Sequence, residues 1–127
     1  MNYYYKKEVP LTFNDAVAKT RSALTGEGFG ILTEIDVKAT FKKKLDKEYD
    51  NYMILGACNP PFAYQALTSE KDIGLLLPCN VIVYEEGGNV FVSAIVPTVA
   101  MSMVKNVAIA AVALVVEEKL KKVVDAV

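Results

Sequence analysis

Two cysteines stand at the ends of neighbouring apolar runs, and they are the residues of this chain best suited to chemistry. Cys58 lies in Ala57-Cys58-Asn59-Pro60-Pro61, where one apolar run ends and a short helix begins. Cys79 lies in Pro78-Cys79-Asn80, where the next apolar run begins. The partial positive charge of a helix N-terminus favours a thiolate, so Cys58 is a candidate reactive thiol with Cys79 as its resolving partner. The sequence contains no histidine, which removes the Cys-His nucleophile pair.

Three interpretations of this region remain open. Both cysteines could be small buried hydrophobic residues, because free cysteine is among the most buried residue types. They could form a reversible thiol site, or they could border a pocket for a small molecule with asparagine side chains as polar anchors and a tyrosine as one wall. Two cysteines alone cannot complete a four-ligand zinc shell, so no metal site is predicted, and the pattern identifies neither a cofactor nor a catalytic residue. The candidate thiol or ligand site comprises Cys58, Asn59, Pro60, Cys79, Asn80 and Tyr84.

Composition favours a folded protein without a nucleic-acid or membrane role. The 127 residues fit one domain over positions 1–127, and 53% hydrophobic content supplies ample core material. The formal net charge of -1 argues against a dedicated nucleic-acid binder, which usually has a basic face. The longest apolar run, residues 107–116, is about half the length that a bilayer-spanning helix needs. Two cysteines without an export signal predict a reduced, cytoplasmic protein.

The pattern of apolar residues predicts strands and helices in a mixed order. Strands are expected at residues 3–9, 29–36, 52–58, 81–85 and 90–96. One helix should begin after Thr12 and end at Gly26, and short helices should begin after Asp36 and Asn59. A long helix should continue from Pro97 to the last residue. This order predicts an α+β fold, in which helices pack on one face of a five-stranded antiparallel sheet.

Several finer expectations follow from the same patterns. Gly87-Gly88 predicts a tight hairpin between the last two strands, and Pro78 predicts an edge strand or a bulge. The third strand is apolar on both faces, so both faces should be covered, one of them by helices and the other by a partner subunit. In the second strand, alternation places Phe29, Ile31, Thr33 and Ile35 towards the helices. On the last helix, the apolar surface is expected at Val104, Val107, Ala108, Ala111, Leu114 and Val115.

Two motifs resemble the domain of unknown function 302 (DUF302) family. They are residues 52–60, followed by Ala63, and residues 73–81, which together hold both cysteines, and the likeness extends over nearly the whole chain. The resemblance implies a fold similar to that of the TATA-box-binding protein, with the order strand, helix, four strands, helix. It also implies a homodimer, and antiparallel third and fourth strands that bring Cys58 and Cys79 together at one edge of the sheet. The family offers no activity to transfer, and the shared fold does not imply DNA binding, because this chain lacks a basic sheet surface.

The sequence therefore favours a small homodimeric domain that binds a small ligand or senses redox state through the region of Cys58 and Cys79. One alternative is a thiol-dependent enzyme with Cys58 as nucleophile, activated by the helix terminus or by a lysine. The other is a purely structural or interaction module.

Overall fold

The fold is built on a five-stranded antiparallel sheet. The computed structural model describes residues 2–127. Its sheet has the strand order β1-β5-β4-β3-β2, and all four strand pairs are antiparallel. The predicted α+β class is confirmed, as is the pairing of the third and fourth strands. The strands are β1 (Tyr4–Val9), β2 (Gly30–Asp36), β3 (Tyr52–Cys58), β4 (Cys79–Glu86) and β5 (Asn89–Ile95).

The helices begin where the sequence provides local signals. The Thr12 hydroxyl accepts a hydrogen bond from the Asp15 amide at 3.1 Å, and the Asp36 carboxylate accepts one from the Ala39 amide at 2.9 Å. These side chains satisfy amides that have no partner within the first helical turn. The helices are α1 (Phe13–Gly26), α2 (Val37–Leu45), α3 (Pro60–Ser69), α4 (Pro97–Ala100) and α5 (Val107–Ala126), with a 3₁₀ helix at Lys71–Leu76. Within residues 2–127, none of them combines the length and apolar character that a membrane crossing requires.

The main core lies between α1, α5 and one face of the sheet. Alternate residues of the central strands, among them Leu55, Val83 and Val92, are fully buried on this face. They pack with Leu24 of α1 and Leu120 of α5. We call the opposite side of the sheet the open face.

The hairpin between β4 and β5 forms as predicted. Gly87 and Gly88 have φ angles of 58° and 82°, which favour glycine over other residues.

A bulge in β2 makes the prediction for that strand partly wrong. Ile31 pairs with Ala57 while Thr33 pairs with Gly56, so β2 holds one more residue than its partner over this stretch. The extra residue reverses the alternation. Thr33 and Ile35 therefore lie on the open face, although Phe29 and Ile31 do pack against the helix-side core.

The end of the chain also differs from the prediction. The helix that begins at Pro97 stops after one turn, and α5 starts only after Asn106, whose side-chain oxygen accepts a hydrogen bond from the Ala108 amide at 2.9 Å. The predicted apolar surface of α5 is wrong, because Val107 is 88% exposed and Leu114 is 53% exposed. Apolar residues surround the first half of this helix, so periodicity alone does not select the buried side. The buried side consists of Ile109, Ala113, Val116, Leu120, Val123 and Val124, together with the carboxylate residue Glu117.

The expectation that Pro78 marks an edge strand or a bulge is wrong. Pro78 lies immediately before β4, which is the central strand of the sheet. Because the ladder begins only at Cys79, the missing N–H of Pro78 leaves no sheet hydrogen bond unmade.

Candidate functional site: an apolar cavity at one end of the sheet

The junction between β3 and α3 meets the start of β4 at one end of the sheet. Ala57 pairs with Cys79 in the antiparallel ladder, and Cys58 is the next residue along β3. The two cysteines therefore occupy adjacent strands at the same end, and both are free thiols. Cys79 is buried, whereas Cys58 is half-buried.

Asn59 joins this junction to a distant turn. It is buried, and its amide nitrogen donates a hydrogen bond to the Glu27 carbonyl at 3.1 Å. Its side chain makes no capping bond to α3, contrary to the prediction, although the residue does occupy the position before the helix. Gly28, with a φ angle of 86°, leaves the space that Asn59 needs, because a Cβ there would lie 3.3 Å from the amide nitrogen. Asn59 thus holds the turn after α1 against the start of α3.

An apolar cavity of about 260 Å³ opens between this end of the sheet and the helices α3 and α5. Within the described part of the chain, the residues that line it include no charged side chain. A cavity of about 150 Å³ suffices for benzene, so this one has room for a larger apolar molecule. Cys58, Asn59 and Cys79 border it, and its apolar walls include Phe29, Phe62, Ala66, Met101, Ala113 and Val116.

Burial controls the chemistry of Cys79. Removal from water, with a smaller effect of the neighbouring Cys58, raises the pKa of the Cys79 thiol to about 11. At neutral pH this group is an uncharged thiol, which is neither a good nucleophile nor a ready metal ligand. Cys79 therefore serves as an apolar part of the cavity wall.

The ladder register does not favour a disulfide between the two cysteines. Successive residues of a strand point to opposite faces, and Cys79 shares its face with Ala57 rather than with Cys58. A disulfide needs Cβ atoms that face each other at short range. Reversible disulfide formation is therefore less suited to this geometry than ligand binding.

The structure divides the six predicted site residues between different surfaces. Cys58, Asn59 and Cys79 border the cavity, and Pro60 is exposed at the first position of α3 without lining it. Asn80 and Tyr84 alternate with buried residues of β4, so both lie on the open face, away from the cavity. Tyr84 is therefore not part of the wall of this cavity.

Sequence reasoning missed the walls that α5 and its preceding segment provide. Ile109, Ala113 and Val116 follow each other at helical spacing and line the cavity, together with Met101. The spacing of these three residues was a usable signal, but an equally apolar set occupies the outer side of the helix.

The described residues contain no metal-binding cluster. No three cysteine, aspartate or glutamate side chains among residues 2–127 come together in a way that could hold an ion.

These features define an α+β protein with an apolar cavity at the end of its sheet, at the junction that carries both cysteine motifs. The chain belongs to the family described as domain of unknown function DUF302, whose family model matches residues 5–127. Its structure is similar to the crystal structure of an uncharacterized conserved DUF302 protein from Bacillus stearothermophilus. The match has a TM-score of 0.93 and 27% sequence identity, and it covers 99% of this chain and 98% of that chain. No protein with a curated description matches the chain.

Proposed function

We propose that this protein binds a small apolar molecule in the cavity between the sheet end, α3 and α5. The observation that carries this proposal is the apolar lining of a space of about 260 Å³. Protein interiors are otherwise packed as closely as organic crystals, and apolar pockets of this kind are typical ligand sites.

The cavity limits the size and the affinity of the ligand. Scaling from the benzene-sized cavity of about 150 Å³ gives room for roughly ten non-hydrogen atoms, as in naphthalene. Small ligands gain between about 0.3 and about 1.5 kcal/mol per non-hydrogen atom, and a gain of about 0.6 kcal/mol for each of roughly ten atoms gives a dissociation constant on the order of tens of micromolar. A charged ligand would lose its hydration without finding a partner in this lining.

The state of the thiols favours binding over thiol chemistry. The raised pKa of Cys79 keeps that group protonated, and the ladder register does not direct the two cysteines at each other. Free thiols also support our expectation of a cytoplasmic location, because that compartment keeps cysteines reduced. Fractionation of cells that express the protein would test the location.

The binding proposal can be tested with naphthalene as the probe and the methyl groups of the protein as NMR reporters. Methyl signals of Ala57, Ala113 and Val116 should shift in a saturable way. The Ala113→Leu variant adds three carbons inside the cavity and should weaken binding at least about ten-fold. Ala18→Leu makes the same change at an exposed position of α1, away from the cavity, and should bind like the wild type. Unchanged methyl signals in the wild type, or equal affinity in both variants, would refute the proposal.

We also infer that the protein forms a homodimer through the outer side of α5. Val107, Leu114 and Val115 are exposed there and are flanked by alanines, which form an apolar strip on a folded surface. On the open face of the third strand, Thr33 and Pro78 of the same chain cover Gly56, so this position does not need a partner subunit to cover it.

Light scattering at micromolar concentration tests the dimer. Leu114→Glu should convert the dimer to a monomer, because it places a charge in the apolar contact. Leu75→Glu introduces the same charge at a residue that is 87% exposed and lies outside α5, so it should leave the dimer intact. A monodisperse monomeric wild type contradicts the inference.

A further inference from the structure

The open face of the sheet carries a second recess, which is built from aromatic rings. Tyr52, Tyr84 and Phe91 are direct neighbours across β3, β4 and β5. The rings of Tyr52 and Tyr84 stack with centroids 5.5 Å apart, and those of Tyr84 and Phe91 stack at 5.2 Å. We call the recess that Tyr4, Tyr52 and Tyr84 line the tyrosine groove, and Phe91 borders it through its stacking on Tyr84.

A cationic group of the same chain, the Lys6 ammonium, lies at the tyrosine groove. The ammonium of Lys6 lies 5.0 Å from the ring centre of Tyr4, 5.5 Å from that of Phe91 and 5.9 Å from that of Tyr84. It also donates a hydrogen bond to the Tyr84 hydroxyl at 3.2 Å. Each distance to a ring centre falls within the range of about 6 Å at which a cation is attracted to an aromatic face.

The charges around the groove also select for a positive ligand. The groove has a volume of about 340 Å³, and the acidic residues Asp50 and Glu86 are on the same side of the sheet as its rings, whereas the Glu85 carboxylate accepts a hydrogen bond from the Asn51 side chain. Lys6 is the one basic residue among the described residues that line it. Tyr3 and Tyr49 stand at the groove with 63% and 49% of their surface exposed, so the site is accessible from solvent.

We propose that the tyrosine groove binds a small organic cation with a quaternary ammonium group, and that Lys6 occupies the ring faces while the ligand is absent. Aromatic faces attract such cations, and the carboxylates at the groove add attraction of the same sign. The free energy needed to displace Lys6 from the rings is small, because its exposed ammonium is hydrated by water when it leaves. The site lies on the opposite side of the sheet from the apolar cavity, and it differs from that cavity in ligand charge.

Choline is a suitable probe, with the chemical shifts of the tyrosine rings as the reporter. The uncharged isostere of choline, in which carbon replaces the quaternary nitrogen, should bind between about two-fold and about thirty-fold more weakly. Lys6→Gln should strengthen choline binding, because it removes the internal competitor from the rings. Lys7→Gln is the matched control: Lys7 follows directly on β1, and its ammonium bonds the Asp125 carbonyl on the other side of the sheet. This control should bind choline like the wild type.

A second pair of variants tests the role of the rings themselves. Tyr84→Leu should weaken choline binding within the same range, whereas Tyr64→Leu, at an exposed position on α3, should not change it. Circular dichroism establishes that each variant is folded, and Phe91→Leu replaces Tyr84→Leu if that variant unfolds. Equal binding of choline and its isostere would overturn the proposal. So would an unchanged or lower affinity in Lys6→Gln, because Lys6 would then not compete with the ligand.

Discussion

Raising the pH should destabilise this protein through one buried thiol, that of Cys79. Burial raises the pKa of this group from its ordinary value of 9.0 to about 11, so the folded state holds the proton more tightly than the unfolded chain does. The stabilisation is therefore fully present below about pH 9 and is lost as the pH rises towards about pH 11. Ionisation of the thiol in the folded protein would place a negative charge in the apolar wall of the cavity, which is unfavourable.

The size of the effect follows from the two pKa values. The difference between the pKa values of the folded and the unfolded thiol corresponds to about 3 kcal/mol when the linkage is complete. At about pH 10.5 the unfolded thiol is almost fully ionised and the folded one is still largely protonated. The free energy of unfolding should then have fallen by about 2 kcal/mol relative to about pH 8 from this group alone.

Urea unfolding followed by far-ultraviolet circular dichroism measures this loss. Lysines and tyrosines also titrate in this range, so the useful quantity is the difference between the wild type and Cys79→Ala at each pH. The free energy of unfolding of the wild type minus that of the variant should decrease by about 2 kcal/mol between about pH 8 and about pH 10.5, since the variant has no thiol to ionise at this position. A difference that stays constant over this range would refute the burial of the thiol and its place in the cavity wall.

Two further predictions concern tight packing and a buried carboxylate. Gly56→Ala should cost about 1–3 kcal/mol of stability in thermal unfolding, because the new Cβ would lie 2.8 Å from the Pro78 ring, whereas Gly26→Ala, with open space around it, should not destabilise. Glu117→Gln should cost about 1–2 kcal/mol at neutral pH, because the Thr98 amide donates a charge-assisted hydrogen bond to that carboxylate at 3.0 Å. Burial works to raise the pKa of Glu117, but its hydrogen bonds with Thr98 lower it overall, so this stabilisation is lost as the medium becomes acidic. A penalty that persists in acid would contradict that assignment.

Local signals in the sequence were sufficient for much of the fold. The apolar run of β3, the caps at Thr12 and Asp36 and the glycine hairpin each depend on residues within one turn or one strand, and the structure places them as expected. The bulge in β2 was not predictable in this way. The position of its extra residue is decided by pairing with β3. The alternation of apolar and polar residues along β2 does not reveal that position.

The candidate site was only partly accessible from the sequence for a similar reason. Resemblance to the family suggested that Cys58 and Cys79 approach each other, but the partner of Asn59 is a backbone carbonyl 32 positions away, at Glu27. The cavity also needs one particular side of α5, and that helix is apolar on two sides in its first half. The choice between those sides depends on the packing of α5 against the sheet, which periodicity does not reveal.

The strand order has a consequence for how this protein is made. Of the five strands of this sheet, β1 is synthesised before the others, yet within residues 2–127 it pairs with β5 alone, so Tyr4 can pair with Ile95 only after β5 has been made. The Tyr5 hydroxyl and the Lys7 ammonium then bond Asp125 near the end of α5, which emerges later still. A tyrosine-rich strand with unpaired backbone groups therefore remains without a partner through most of synthesis. During that interval it is the segment most exposed to pairing with the wrong chain.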